Sequence, residues 1–272
     1  MPSTRKKIII IPLLLSVGMN LILIFKDREI GKIENIKNVE EYALLNQMAL
    51  ASGTDKSENW HNYTSIYYRY FGPIRHRQLK FLEIGIYTGA SVKMWESYFP
   101  NAELHFIDVT DIHLTYRSNR SKYHFFDQSN EQKLQEFAME IGVKFDIIID
   151  DGGHENDQII KSFEALFPFL NENGGIYVIE DLHTAYWDCY GGTAIVNNNR
   201  TGYIITDPGT LPGSSINFLK DLVDEVNFVG ANTGFGSSKH VTPELRQNMS
   251  EYARHIESLH FYNSICFITK KP

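Results

Sequence analysis

FDIIIDDGGH (residues 145–154) and GGIYVIEDLH (residues 174–183) decide the fold. Each opens with a short run of aliphatic and β-branched side chains at successive positions. Neighbouring residues of a strand point to opposite faces, so such a run is apolar on both faces and must be covered on both. Parallel sheets lying between helices meet that condition. Both runs end in carboxylates and a histidine, so polar chemistry collects where the strands finish.

Comparable runs lie at Leu79 to Ile86, Glu103 to Val109 and Tyr123 to Phe126, besides Phe145 to Ile149 and Gly175 to Ile179. Helical spacing separates most of them, at Ala90 to Tyr98, Glu131 to Ile141 and Asp157 to Leu170. Strands alternating with helices predict βαβ units. Leu182 to Pro212 is rich in Gly, Asn and Thr, and connections of that length usually cover a site. A helix over Ser215 to Phe228 follows. Ile256 to Tyr262 and Ile265 to Thr269, joined by Asn263-Ser264, read as a closing antiparallel hairpin. The expected fold class is α/β, with a mostly parallel seven-stranded sheet and a C-terminal antiparallel hairpin. Upstream, Val39 to Ser52 and Trp60 to Phe71 carry helical patterns, and Pro73 interrupts them. The expected organisation is an N-terminal hydrophobic anchor over 1–30, a linker and helical lid over 31–75, and the main domain over 76–272.

A chain of 272 residues with 43% hydrophobic content can bury a large core, and a net charge of -7 argues against a broad nucleic-acid surface. Cys189 and Cys266 are too few for a disulfide framework or a metal knuckle. From Ile8 to Phe25 eighteen residues carry no charge, flanked by Arg5, Lys6 and Lys7 before and Lys26 after. That is long enough to span a bilayer, and no small-residue cleavage site follows, so the expectation is a single-pass membrane anchor of unassigned orientation. N-x-S/T sequons at Asn62, Asn119, Asn199 and Asn248 matter only if the domain faces a secretory lumen.

The first strand runs into Glu83-Ile-Gly85-Ile-Tyr-Thr-Gly89, ahead of a helix at Ala90. A strand, a glycine turn and a helix N-terminus let a cofactor approach the backbone closely. The spacing is not that of pyrophosphate binders, and Glu83 would repel pyrophosphate. It suits a cofactor bearing an amino group and a sulfonium. An unrelated strand-to-helix turn explains the same residues. Asp108 ends the second strand, where a carboxylate can accept ribose hydroxyl protons; Asp127 and Gln128 end the third, where they can read an adenine edge or form a surface turn. Asp150, Asp151 and His154 close the fourth strand, and Glu180, Asp181 and His183 the fifth. Massed carboxylates repel unless a cation compensates, and a hard, oxygen-ligated ion such as Mg²⁺ fits better than zinc with no thiol near. Helix caps explain single aspartates, Asp151 among them.

Those segments, with GTDK (residues 53–56), WHNYT (residues 60–64), MWESYFP (residues 94–100) and SFEALFPFL (residues 162–170), resemble the macrolide-sugar O-methyltransferases. The likeness is to the mycinamicin VI 2''-O-methyltransferase group and, more distantly, the macrocin O-methyltransferase family. It covers roughly Ser52 to Asp188. The resemblance implies a Rossmann-like class I methyltransferase using S-adenosyl-L-methionine and Mg²⁺. Carried over by motif, Asp151, Glu180 and Asp181 hold the metal, and His154 is the general base. Glu83, Gly85, Gly89, Asp108, Asp127, Gln128 and Asp150 line the cofactor. GTDK and WHNYT belong to a lid or to a packing helix. The hydrophobic N-terminal segment departs from the family and points away from macrolides, toward a small-molecule or glycan acceptor, with an oligomer compatible. Catechol-like acceptors, a noncatalytic membrane-anchored cofactor-binding domain and a nicotinamide oxidoreductase are the competing readings.

Overall fold

The computed structural model describes residues 38–142, 144–193, 195–199, 202–206, 209–236 and 238–271. The expected anchor, Ile8 to Phe25, and nearly all of the linker after it lie outside them. The single-pass membrane placement is corrected: among the described residues no helix is long and apolar enough to cross a membrane. The one described helix of sufficient length, 19 residues from Ser215 to Thr233, carries Lys220, Asp221, Asp224 and Glu225 and is built for a protein surface. Two compact units divide the chain, Met1–Ile74 and Arg75–Pro272.

In the first unit a helix over 38–52 (α1) buries Leu45 and Ala49. The buried Asn46 side chain accepts hydrogen bonds from Glu58 N at 3.0 Å and Thr64 Oγ1 at 3.1 Å, tying the end of WHNYT and the stretch between GTDK and WHNYT to that helix. The second helix (α2) is Thr64–Phe71, shorter than expected, because Trp60 to Asn62 form turns in which Asn62 has φ 54°.

The second unit is a seven-stranded sheet. Its strands are β1 (Lys80–Ile84), β2 (Glu103–Asp108), β3 (Ser121–Phe125), β4 (Ile147–Asp150), β5 (Ile176–Ile179), β8 (Ile256–Tyr262) and β9 (Ile265–Lys270), in the order β3-β2-β1-β4-β5-β9-β8. The first five are parallel, and β9 runs antiparallel to β5 and β8. The helices are α3 (Ala90–Tyr98), α4 (Glu131–Ile141), α5 (Asn156–Leu166), α6 (Ser215–Thr233), α7 (Pro243–Asn248) and α8 (Glu251–His255). Alternation within β1 shows why both faces are apolar. Leu82 and Ile84 join the aliphatic core with Leu134, Phe163 and Leu166, while Phe81 meets Trp95, Phe99 and Phe106 on the other face at ring-centroid distances of 5.4, 5.5 and 6.0 Å. Expected α/β architecture, parallel order and closing hairpin are all present.

Three regions of this unit differ from expectation. The long connection after β5 contains two 3₁₀ turns, Leu182–Tyr186 and Asp188–Tyr190, and a separate hairpin of β6 (Ile195–Asn199) and β7 (Gly202–Thr206). The helix from Ser215 continues past Phe228, through Gly230, until Gly234 ends it with φ 72°. Short helices α7 and α8 each start on a capping hydroxyl, Thr242 and Ser250, which accept from Leu245 N and Ala253 N.

Candidate active site

Sheet order reverses beside β1, between the β1-β2-β3 side and the β4-β5 side, and ligands of open α/β sheets bind at such a point outside the carboxyl ends of the strands. Here the ladder extends one residue past the strands. Gly85 N donates to Ile107 O at 2.8 Å, Asp151 N to Ile84 O at 2.9 Å, and Glu180 N to Asp150 O at 3.0 Å. The tips of β1, β4 and β5 are thereby held edge to edge. Gly85 has φ 99°, and a Cβ built there would stand 1.9 Å from Asp151 O, so only glycine lets the β4 tip come this close.

Two overlapping groups of ligand atoms result. One atom each from Asp151, His154 and Asp181 lie within 4.8 Å of one another, and so do one each from Glu83, Asp151 and Glu180. The expected metal residues are brought to one place, but through Asp151, which is common to both groups, and not as one trio. Glu180 and Asp181 are consecutive; Asp181 takes φ 55°, and its carboxylate goes to the His154 side while that of Glu180 goes to the Glu83 side. The Nε2 of His154 lies 4.0 Å from Asp151 Oδ1 and 3.6 Å from Asp181 Oδ2. His154 also has positive φ, 60°, and the Thr184 hydroxyl, 3.2 Å from His154 O and 2.8 Å from Asp181 O, links the two turns. Strained backbone of this kind persists where surrounding structure over-determines it, commonly at active sites.

Glu83 is fully buried, accepting from Ser91 Oγ at 2.8 Å and Trp95 Nε1 at 3.0 Å, both from α3. At an effective dielectric near 20, like charges about 4 Å apart repel by about 4 kcal/mol. Glu83, Asp151 and Glu180 at these separations, with oxygen donors only, therefore fit a hard divalent cation that offsets the repulsion. Thiols are absent from both groups, which disfavours zinc.

Cofactor candidates fall into three kinds. Gly89, with φ 87°, precedes α3, and Asp108 accepts through Oδ2 from Ile86 N at 2.8 Å and Tyr87 N at 3.0 Å, so this carboxylate shapes the glycine turn itself. Asp127 is exposed and caps its own turn through Ser129 N at 2.8 Å. Gln128 and Asp150 are buried and bonded to each other, 3.1 Å from Gln128 Nε2 to Asp150 Oδ1. Burial raises Asp150 to about 6 against the opposing Gln128 amide, and its Oδ2 is buried with no hydrogen-bond partner. Asp151 is not the cap of α5, which begins after Glu155.

Sequence reading missed Ser264. Because β9 is antiparallel to β5, the β8–β9 turn arrives at the end where the parallel strands finish. Ser264 O accepts from Leu182 N at 2.9 Å, and its hydroxyl bonds His183 Nδ1. Asn263-Ser264 was legible as a turn, but nothing local shows where a turn docks.

No family model matches the chain. Among curated proteins it is 32% identical to mycinamicin VI 2''-O-methyltransferase of Micromonospora griseorubida over 83% of this chain and 52% of that one. Demethylmacrocin O-methyltransferase of Streptomyces fradiae is 33% identical over 83% of this chain and 53% of its own length. The chain spans about half the length of the curated relatives it matches. A solved structure of MycE methyltransferase from the mycinamycin biosynthetic pathway, in complex with Mg, SAH and mycinamycin VI, superposes with a TM-score of 0.66 at 31% identity, over 84% of this chain and 54% of that one. By sheet order and sequence, the chain has the class I methyltransferase fold and is similar, over about half of their length, to the O-methyltransferases of the mycinamicin VI and macrocin group.

Proposed function

We propose that the protein moves a methyl group from S-adenosylmethionine to a hydroxyl of a sugar or glycan-like acceptor, with a divalent ion such as Mg²⁺ at the strand tips. The observation that supports this most is the meeting of acidic side chains from β1, β4 and β5 around Asp151, beside His154. Asp151, common to both groups, would hold the ion with Glu180 from one group and Asp181 from the other; once bound, the ion would lower the pKa of an acceptor hydroxyl by several units. Two relatives are named for methyl transfer to glycosylated compounds, a rhamnosyl tetracenomycin and an olivosyl oleandolide, which supports a sugar acceptor.

Methyl transfer from a sulfonium to an alcohol breaks one carbon–sulfur bond, forms one carbon–oxygen bond and leaves one proton to be removed. His154 takes that proton at Nε2, and the Asp151 and Asp181 carboxylates, 4.0 and 3.6 Å away, stabilise the charge it gains. Gly85 and Gly89 let the turn after β1 pack against Asp151 O and Tyr116 O, where a Cβ would stand at 1.9 and 2.4 Å, and Asp108 braces it through two backbone amides. Asp108 and Asp127, at the tips of β2 and β3, would hold the nucleoside of the donor.

Incubation of the full chain with methyl-labelled S-adenosylmethionine, Mg²⁺ and a panel of glycosides and catechols tests this. Label should pass to a glycoside hydroxyl and stop in chelator. Transfer only to catechols overturns the acceptor class, and chelator-insensitive transfer overturns the role of the ion.

A further inference from the structure

Gln128 stands at the tip of β3, where a side chain can read an adenine edge, yet its amide is committed elsewhere. The residue is 7% exposed. Its Oε1 accepts from Gly153 N at 2.8 Å, and its Nε2 donates to Asp150 Oδ1 at 3.1 Å and Ser162 Oγ at 3.0 Å. An amide offers one acceptor oxygen and two N–H donors, so both donors and the acceptor have protein partners. The bonds reach β4 through Asp150, α5 through Ser162 and the DDGGH turn between them through Gly153.

The turn is shaped around this amide. A Cβ on Gly152 would stand 1.9 Å from Gln128 Oε1 and 2.8 Å from its amide carbon. Gly152 is thus not free to be alanine while the amide keeps its bonds. Gly153, whose N–H the amide holds, directly precedes His154, and Asp150, whose carboxylate it holds, directly precedes Asp151. One buried group therefore fixes both ends of the segment that carries the shared carboxylate and the base.

From this geometry we infer that Gln128 is a positioning residue for the metal-and-base turn, and not a reader of the donor's adenine. The inference rests on the metal reading of Asp151 given above. Gln128 touches neither reacting atom; it acts by setting where the Asp151 carboxylate and the His154 ring stand. Groups that orient metal ligands from outside the coordination shell typically carry tenfold to hundredfold in metal affinity.

The test compares wild type with Gln128→Leu, which keeps the volume and loses all three bonds, and Gln128→Glu, which keeps the acceptor for Gly153 N–H and loses both donors. Mn²⁺ binding is followed by electron paramagnetic resonance, S-adenosylhomocysteine binding by calorimetry, and amide exchange over residues 151–156 by mass spectrometry. The expected result is Mn²⁺ affinity weakened about tenfold or more in Gln128→Leu and less in Gln128→Glu. S-adenosylhomocysteine affinity stays within threefold, and exchange rises over 151–156 alone. Mn²⁺ affinity unchanged within threefold, or S-adenosylhomocysteine affinity falling as far as that of Mn²⁺, overturns the assignment. Should Gln128→Leu fail to fold, the Glu variant decides by the same criteria. A wild-type protein that binds no Mn²⁺ sinks the metal reading instead, and exchange at 151–156 then decides whether the amide braces the turn.

Discussion

The Nε2 of His154 lies 3.6 Å from Asp181 Oδ2, although the two residues belong to turns after different strands and each has positive φ. Two strained turns facing each other place an imidazole among carboxylates, where a proton released from an acceptor can be received. Replacing His154 with Gln, which keeps a polar group of similar reach, should lower kcat by roughly 10²-fold or more while leaving divalent-ion affinity within a few-fold. Steady-state rates with a methyl-labelled donor and a parallel ion titration measure the two quantities. Loss of both together would mean that His154 is a ligand and not the base.

Gly85→Ala puts a Cβ where Asp151 O already stands, at 1.9 Å, in a backbone conformation of φ 99° that alanine disfavours. The β1 and β4 tips must separate. Unfolding in urea should show a loss of about 2–3 kcal/mol, with ion binding weakened beyond what lower stability explains. Gly174→Ala, also at positive φ (84°) but with nothing within 4 Å, is the control that carries conformational strain without the clash.

Asn156 ties the connection after β5 to the starts of two helices. Its Oδ1 accepts from Ser215 N at 2.8 Å and Ser215 Oγ at 2.9 Å, and its Nδ2 donates to Tyr190 O at 2.9 Å. His183, Trp187 and Tyr190 form a chain of ring contacts along that connection, at 4.7 and 6.1 Å. Asn156→Ala should raise the acceptor KM severalfold with a smaller change in kcat, because a loosened cover costs binding before chemistry. Equal falls in kcat and kcat/KM, with KM unchanged, would place Asn156 in the chemical step.

His105, fully buried on β2, has Nδ1 3.2 Å from His124 Nε2 and Nε2 3.1 Å from Glu103 Oε1. Burial lowers His105 to about 4, with His124 and Lys122 adding and Glu103 opposing, and burial lowers His124 as well, with Glu140 opposing. Folded values below the unfolded one mean that the unfolded chain binds more protons between about 4 and 6.5, so stability falls as pH drops through that window. The expected loss from pH 7 to 4.5 is roughly 1–3 kcal/mol, and His105→Gln should flatten the slope. Glu103, held down at about 2 by Lys122 first and by Lys80 and His105, adds its own loss only below its ordinary value of 4.5. Urea midpoints across pH for the two proteins provide the check.

The strand runs and their order were legible because apolar alternation and helix spacing are local, and β-to-α periodicity survives any docking. So were the carboxylates, since residues at strand ends must share one edge of a parallel sheet. What stayed hidden depends on contacts between segments. Glu180 and Asp181 look equivalent in sequence, and only the positive φ of Asp181 sends them to different neighbours. Gln128 resembles a ligand-reading residue until Gly153 and Asp150 are seen to occupy its amide. The eighteen-residue apolar run near the N-terminus was read as an anchor from its length, its flanking cations and the lack of a cleavage site; it lies outside the described residues, among which no helix is long and apolar enough to cross a membrane.

Asp151 is the one side chain that belongs to both clusters, which makes its carboxylate the most direct handle on the whole proposal. Calorimetric titration of Mg²⁺ into the protein with S-adenosylhomocysteine present should reveal one saturable site in wild type and none in Asp151→Asn. Heats that match in the two proteins, or no saturable heat in wild type, would contradict the claim that these strand tips are a cation site.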